Sequence, residues 1–366
     1  MLIVVFYITI LLKRREFFVY YAMIAGLAPM DGITDSAYRT IVSEIFCRHN
    51  TSDDLMMWTE FMSADGYTHQ PRRLVRHLMT TTDSPPVIAQ IYGGHADTLL
   101  ATAIDIDTKY HFSGIELNIG CPSPKIMACE AGSGMLRDRP KTLEILRQMS
   151  QSLSVPFSIK TRCGLTADDR EEQKDFILAA SAYCQTITIH GRTYRQSHSG
   201  TVDWDFIYDI KRLLSDSPVR VIGNGGLTSY EDGCQHLGPL DGVMRWQAAM
   251  CHPRVVTSHR PDIIEIRQTI FRHLQLSVAH EMYFQDDAHR NPDTLLFTQP
   301  SLEILQQLQP LPHTYYHSVI EFRKFLFRYV SGMTDNKSFK QHVATITEYH
   351  ALYDAIHHYL DQVEIK

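Results

Sequence analysis

The chain is poor in the features that mark several protein classes. It has seven cysteines in 366 residues, an odd number, with no CxxC pair. Cys47, Cys121, Cys129, Cys163, Cys184, Cys234 and Cys251 are widely scattered. That pattern argues against a disulfide framework or a zinc ribbon and fits a reducing, cytoplasmic compartment. There is no excess of positive charge. Lys and Arg number 35 against 41 Asp and Glu, a net charge of −6, so any contact with nucleic acid needs a local patch. The apolar stretch at 1–12 falls short of the ~20 residues that span a bilayer, and it stops at Lys13, Arg14 and Arg15. Charges that follow an apolar stretch also fit a secretory signal poorly. Residues 1–22 are therefore read as an extension outside the fold, with Met23 opening the folded chain. No membrane contact and no metal are expected, and the chain is expected to be a monomer.

What is present is an ordinary globular composition, 44% hydrophobic and 21% charged, with a repeated theme. Short apolar runs occur at 25–30, 55–61, 86–93, 114–120, 157–164, 186–192, 220–226 and 241–248. Stretches of helical period separate them, for example at 35–46, 140–153 and 203–214. Runs and helices in alternation predict parallel βα units, and eight of them predict a (β/α)8 TIM barrel. An open doubly wound sheet would place a Gly-rich fingerprint after the first strand, but Ala28-Pro29-Met30-Asp31-Gly32 stands there. Strand signals end after Pro253. The expected organisation is a barrel over 23–260 and a smaller all-helical C-terminal domain over 261–366.

Function in such barrels gathers at the C-terminal ends of the strands. Those ends carry Met30, Glu60, Gln90, Asn118 with Cys121, Lys160 with Arg162, His190 with Arg192, and Asn224-Gly225-Gly226. A buried lysine without a task is expensive, so Lys160 and His190 together point to function, whereas Gln90 alone serves structure equally well. Asn224-Gly225-Gly226 offers backbone N–H groups to an anion where barrel phosphate sites form. Cys121, held between Gly120 and Pro122 on a stiff loop, is a competent proton donor or nucleophile near neutral pH.

The segments LAPMDGITDSAYR (27–39), QIYGG (90–94), IELNIGCPSPK (115–125), IKTRCG (159–164), ITIHGRTYRQSHSG (187–200) and VIGNGG (221–226) resemble the tRNA-dihydrouridine synthase family in order and spacing. The likeness covers about 24–250, and EFRKFLFRYVSGM (321–333) is similar to the family's RNA-binding helices. The resemblance implies an FMN enzyme that uses NADPH or NADH to reduce the C5–C6 bond of particular uridines in tRNA. It implies Cys121 as proton donor, with Asn118 and Arg192 on the substrate. It assigns Ala28, Pro29, Met30, Gln90, Lys160, His190, Asn224, Gly225, Gly226 and Gln247 to the cofactor. The sequence departs from the family at the end of the last barrel strand, where Trp246 and Gln247 replace a Gly-Arg pair. Arg245 would reach a phosphate there only through a bulge, since neighbouring strand residues face opposite ways. Arg254 stands where an aromatic is common, and His198 where a Tyr is frequent.

Two clusters supply the cations an RNA enzyme needs. One is Arg72, Arg73, Arg76 and His77. The other lies in the tail, with Arg323, Lys324, Arg328, Lys337 and Lys340. Two other readings stay open at this point: a flavin reductase of free pyrimidines resembling dihydroorotate dehydrogenase, and a non-catalytic RNA-binding relative with an impaired phosphate site.

Overall fold

The computed structural model describes residues 22–50, 52–246, 252–286, 299–311 and 316–363. Residues 1–21 of the expected extension, and Gln247, lie outside the described residues. The strands are β1 (Ile24–Leu27), β2 (Asp54–Trp58), β3 (Met62–Ser63), β4 (Val87–Tyr92), β5 (Gly114–Asn118), β6 (Phe157–Arg162), β7 (Thr186–His190), β8 (Arg220–Asn224) and β9 (Gly242–Arg245). All the pairings are parallel. The ladder runs β2-β1-β9-β8-β7-β6-β5-β4-β3 and closes through β2–β4. The predicted eight-stranded barrel is therefore present, with β3 continuing β2 after a break.

The break has a local cause. Met57 and Trp58 pair with Val87 and Ile88, while Met62 pairs with Ile91. Thr59, Glu60 and Phe61 thus oppose Ala89 and Gln90, one residue in excess, which is a bulge. The Thr59 hydroxyl accepts the Gln90 N–H at 3.0 Å and stands in for the displaced carbonyl.

Strand period two sorts the side chains. Ile24, Ala28, Trp58, Ile88, Ile222 and Met244 form one apolar cluster inside the barrel, and Glu116, Asn118, Lys160, His190 and Asn224 continue the same parity toward the mouth. The alternate residues, such as Leu27, Leu117, Ile159 and Ile189, join the larger core under the helices. Closure requires close backbone approach at β9: a Cβ on Gly242 would lie 2.5 Å from the Ile24 carbonyl oxygen.

The helices that matter to the site are α1 (Ser36–His49), α2 (Arg139–Ser152), α3 (Arg170–Ala180), α4 (Trp204–Leu213), α5 (Tyr230–Gln235), α6 (Ile263–Gln285), α7 (His317–Tyr329), α8 (Asn336–Val343) and α9 (Tyr349–Leu360). From Ile263 onward the described residues contain no strand. Helix α6 begins with a capping box between Asp262 and Glu265, which satisfies two of its free N–H groups. It docks on α1 through the forked Arg272–Glu44 pair, with contacts of 2.7 and 3.2 Å. Tyr38 of α1 stacks on Phe325 of α7 with ring centroids 5.2 Å apart. Helix α1 is thus the floor on which the C-terminal helices rest.

Replacing Gly242 with Ala forces backbone apart at the closing seam. A loss of about 1–3 kcal/mol is expected, read as a lowered denaturant midpoint. An unchanged midpoint would show that the seam yields freely.

Candidate functional site

At the C-terminal mouth, Ala28, Pro29, Met30, Asp31, Phe61, Asn118, Gly120, Cys121, Lys160, Arg162, His190, His198, Asn224 and Trp246 line a cleft of ≈ 270 Å³. Eight residues assigned from the sequence meet in it: Ala28, Pro29, Met30, Asn118, Cys121, Lys160, His190 and Asn224. Gln90 stands just beneath, fully buried.

The polar core of the site is a chain of hydrogen bonds that starts below the mouth. The Gln90 Nε2 group donates to Glu116 Oε1 at 2.6 Å, and Gln90 Oε1 accepts from Asn118 Nδ2 at 3.0 Å. Asn118 Oδ1 in turn accepts the N–H groups of Gly120 at 3.1 Å and Cys121 at 3.0 Å. A carboxylate only accepts, so it fixes the Gln90 amide, which fixes Asn118. The Asn118 oxygen is committed to the cysteine loop, and a second Nδ2 hydrogen remains for a ligand. Glu116 was not among the residues singled out from the sequence. The available signal was its place two residues before Asn118 in a β-strand whose remaining members, Gly114, Ile115 and Leu117, are apolar.

Two further contacts set the loop. Arg162 donates through Nε to the Gly120 carbonyl at 2.6 Å and through Nη1 to those of Thr193 and Ser197 at 3.1 and 2.8 Å. It clamps the cysteine loop to the loop after β7. Gly132, at φ 56°, passes so close that a Cβ would stand 2.9 Å from the Cys121 carbonyl, a position only glycine fills without cost. Burial pushes the Cys121 thiol above its usual pKa, so the sulfur holds its proton at neutral pH.

Opposite lie the basic groups. Lys160 Nζ donates to Asn224 Oδ1 at 3.2 Å, and Asn224 Nδ2 donates to the Met244 carbonyl at 2.8 Å. Burial lowers Lys160 and raises Glu116, and the opposite charge of each works against its shift. Burial, and then Arg162 and Lys160, push His190 well below its ordinary value. His190 is a neutral imidazole whose buried Nδ1 has no partner. Gly225 and Gly226 both adopt positive φ, 125° and 70°. A Cβ on Gly226 would lie 3.7 Å from an Arg192 guanidinium nitrogen. Arg192, assigned to substrate from the sequence, therefore stands beside the Gly-Gly turn, with its Nε donating to the Gly200 carbonyl at 2.9 Å.

The end of β9 departs as the sequence indicates. The ladder runs in regular register through Leu27↔Arg245, so no bulge turns Arg245 inward. Arg245 is fully buried on the outer side. Its Nη2 donates to the Tyr230 carbonyl at 3.0 Å, and its guanidinium lies against Gly233 of α5. Arg254 is also taken up elsewhere, donating to Thr269 Oγ1 at 3.1 Å. Trp246 lines the cleft and stacks on His198, with ring centroids 4.3 Å apart. Glu60 holds the loop after β1, accepting from Gly32 N–H at 2.6 Å. Burial pushes its carboxyl up, but the His77 hydrogen bond and the positive charges of His77 and Arg39 hold it below the usual range.

In the tail cluster, Arg323 donates to the Ala344 carbonyl. Lys324 pairs with Glu321 at 2.6 Å and lies 3.7 Å from where a Gly32 Cβ would be, which sets it at the rim of the mouth. Arg328, with Arg323 and Lys324, is on α7; Lys337 and Lys340 are on α8. Arg73 and Arg76 are exposed before β4.

Asp35 caps α1, accepting the Tyr38 N–H at 2.8 Å. Burial, and then Glu60, raise its carboxyl to about 6. A carboxyl raised by folding contributes stability that is full below about 4 and is lost as pH rises through about 6. Asp35→Asn keeps a capping oxygen and removes the charge. It is expected to stabilise at pH 8 by up to about 3 kcal/mol and to change little at pH 4, measured by denaturant unfolding. Equal effects at both pH values would contradict the shift.

Comparison with known proteins adds four findings. The model of the family described as dihydrouridine synthase (Dus) matches residues 26–363. A tRNA-dihydrouridine synthase B of Pseudomonas putida is 27% identical over 270 residues, 70% of this chain and 76% of that protein. A probable tRNA-dihydrouridine synthase of Rickettsia typhi is 27% identical over 221 residues, 60% of this chain and 64% of that protein. Among solved structures, a FabK variant from Thermotoga maritima aligns over 67% of each chain at 13% identity, with a TM-score of 0.37.

Proposed function

The chain belongs to the dihydrouridine synthase family, and on that premise we propose that it reduces the C5–C6 bond of uridines in tRNA, with Cys121 as proton donor, FMN as cofactor and NADPH or NADH as the source of electrons. The observation that carries this reading is the cleft itself, where a protonated thiol and a half-buried lysine share one space of ≈ 270 Å³.

The residues present fit the cofactor. The unpartnered His190 Nδ1 and the Lys160 ammonium would hold the polar edge of the ring, with Ala28, Pro29 and Met30 along its side. The Gly225–Gly226 turn, with Arg192 beside it, is a backbone nest with a cation, the chemistry a phosphate needs. When bound, FMN supplies the hydride. The chain's own residues do the rest. Lys160 places positive charge where electron density accumulates. Cys121, kept protonated by burial, delivers its proton to C5 as negative charge builds there, which is general acid catalysis. The remaining Asn118 N–H stabilises that charge from a fixed position. The target base must leave its stack to enter so narrow a cleft. The cations on α7 and α8 and before β4 would carry the folded RNA by its shape and phosphates. No helix among the described residues is long and apolar enough to cross a membrane.

Cys121→Ala is expected to bind FMN and accept electrons from NADPH as the parent does, while dihydrouridine formation in tRNA falls by a factor of roughly 10²–10⁴, counted by nucleoside mass spectrometry. Full product from that variant would remove Cys121 from the reaction. Lys160→Ala should slow reduction of the bound flavin by NADPH, followed by its absorbance. An unaltered rate would separate Lys160 from the cofactor.

A further inference from the structure

Outside the mouth, one group of side chains is unexplained by the reaction. His49 ends α1, His259 lies in the segment before α6, and Glu265 is in the first turn of α6. Their ligand-capable atoms all lie within 4.8 Å of one another, the sole such group of three found among the described residues. The two imidazoles are stacked nearly parallel, 3° apart in plane, with centroids separated by 3.7 Å. Both present Nε2 to the same carboxylate: His259 at 2.7 Å from Oε2 and His49 at 3.5 Å from Oε1. The second separation falls outside the usual hydrogen-bond range, and the buried His49 Nε2 has no hydrogen-bond partner. The single His259–Glu265 bond leaves the His49 nitrogen idle; parallel rings send their in-plane lone pairs side by side, so a shared ion requires one ring to turn about its Cβ–Cγ bond.

We propose that His49 Nε2, His259 Nε2 and Glu265 Oε1 form a divalent metal site of the zinc type, pinning the barrel helix α1 to the start of the C-terminal helices. Two imidazoles and one carboxylate are a common zinc donor set, with the fourth position left to water. The side chains are 16%, 33% and 21% exposed, so solvent reaches the site. His259 also lines a cavity of ≈ 660 Å³ that gives an ion a way in.

Glu265 Oε2 is held from outside by the Asp262 N–H at 3.3 Å and by Arg254 Nη1 at 3.6 Å. Those contacts orient the carboxylate as outer partners of metal ligands do, and they leave Oε1 toward His49. The Arg254 charge opposes a dication, so the ion is expected to be removable by chelators. A metal here would join α1 to the start of the C-terminal helices at one point without touching the reacting atoms.

The test uses the full-length protein stripped by chelator and titrated with Zn²⁺ in a calorimeter. One ion per chain is expected, with binding weakened about tenfold or more in both His49→Ala and His259→Ala and unchanged in His252→Ala, which lines the same cavity outside the cluster. Co²⁺ should give the visible absorption of a four-coordinate site in the parent and lose it in the two variants. Circular dichroism checks that each variant folds. Should the histidine variants not fold, Glu265→Gln, which keeps the helix cap, must show the same weakening. Absence of stoichiometric Zn²⁺ binding in the parent overturns the proposal. So does binding of parental strength in folded His49→Ala and His259→Ala, or in Glu265→Gln where that variant decides.

Discussion

The geometry of the mouth depends on one carboxylate placed inside a closed barrel. Glu116 accepts from Gln90, Gln90 accepts from Asn118, and Asn118 accepts from the backbone of the cysteine loop. Each amide has its orientation chosen by the group before it, so a carboxyl beneath the mouth decides where a thiol stands. The same carboxyl faces Lys160 and works against the lowering of its pKa by burial. Hydrophobic residues of equal size would pack the barrel as well, but they could not transmit an orientation upward.

That arrangement has a chemical logic. A proton donor must hold its proton until negative charge develops beside it, and burial gives Cys121 that property. A cation must lie near but not neutralise the donor, and Lys160 is turned instead toward Asn224. Arg162 makes the positions mutual, because one guanidinium holds both the loop carrying Cys121 and the loop after β7. The site is thus a set of loops tied to each other and to the strand below.

Much of this was legible in the sequence, for identifiable reasons. Eight short apolar runs separated by helical periods announce parallel units, and every one contributes a barrel strand. Polar residues that end those runs announce the mouth, since burial makes a chance lysine or histidine there costly. Strand parity also indicated that Arg245 could reach a phosphate only through a bulge, and the β1–β9 register is regular at that point. Other features could not be read. The bulge at Thr59–Phe61 depends on a hydroxyl replacing a backbone carbonyl, which no periodicity shows. Arg192 reaches the Gly226 turn because of how the loop after β7 folds back, not because of its neighbours in sequence. The association of His49 with His259 and Glu265 joins positions more than two hundred residues apart, and no spacing rule covers it.

The central claim is that this mouth reduces a uridine presented by RNA. The most direct measurement is nucleoside mass spectrometry of tRNA lacking dihydrouridine, incubated with the protein, FMN and NADPH, alongside free uracil and uridine. The account predicts dihydrouridine in the tRNA at defined positions and little turnover of the free pyrimidines. Unmodified tRNA together with rapid reduction of the free bases would contradict it.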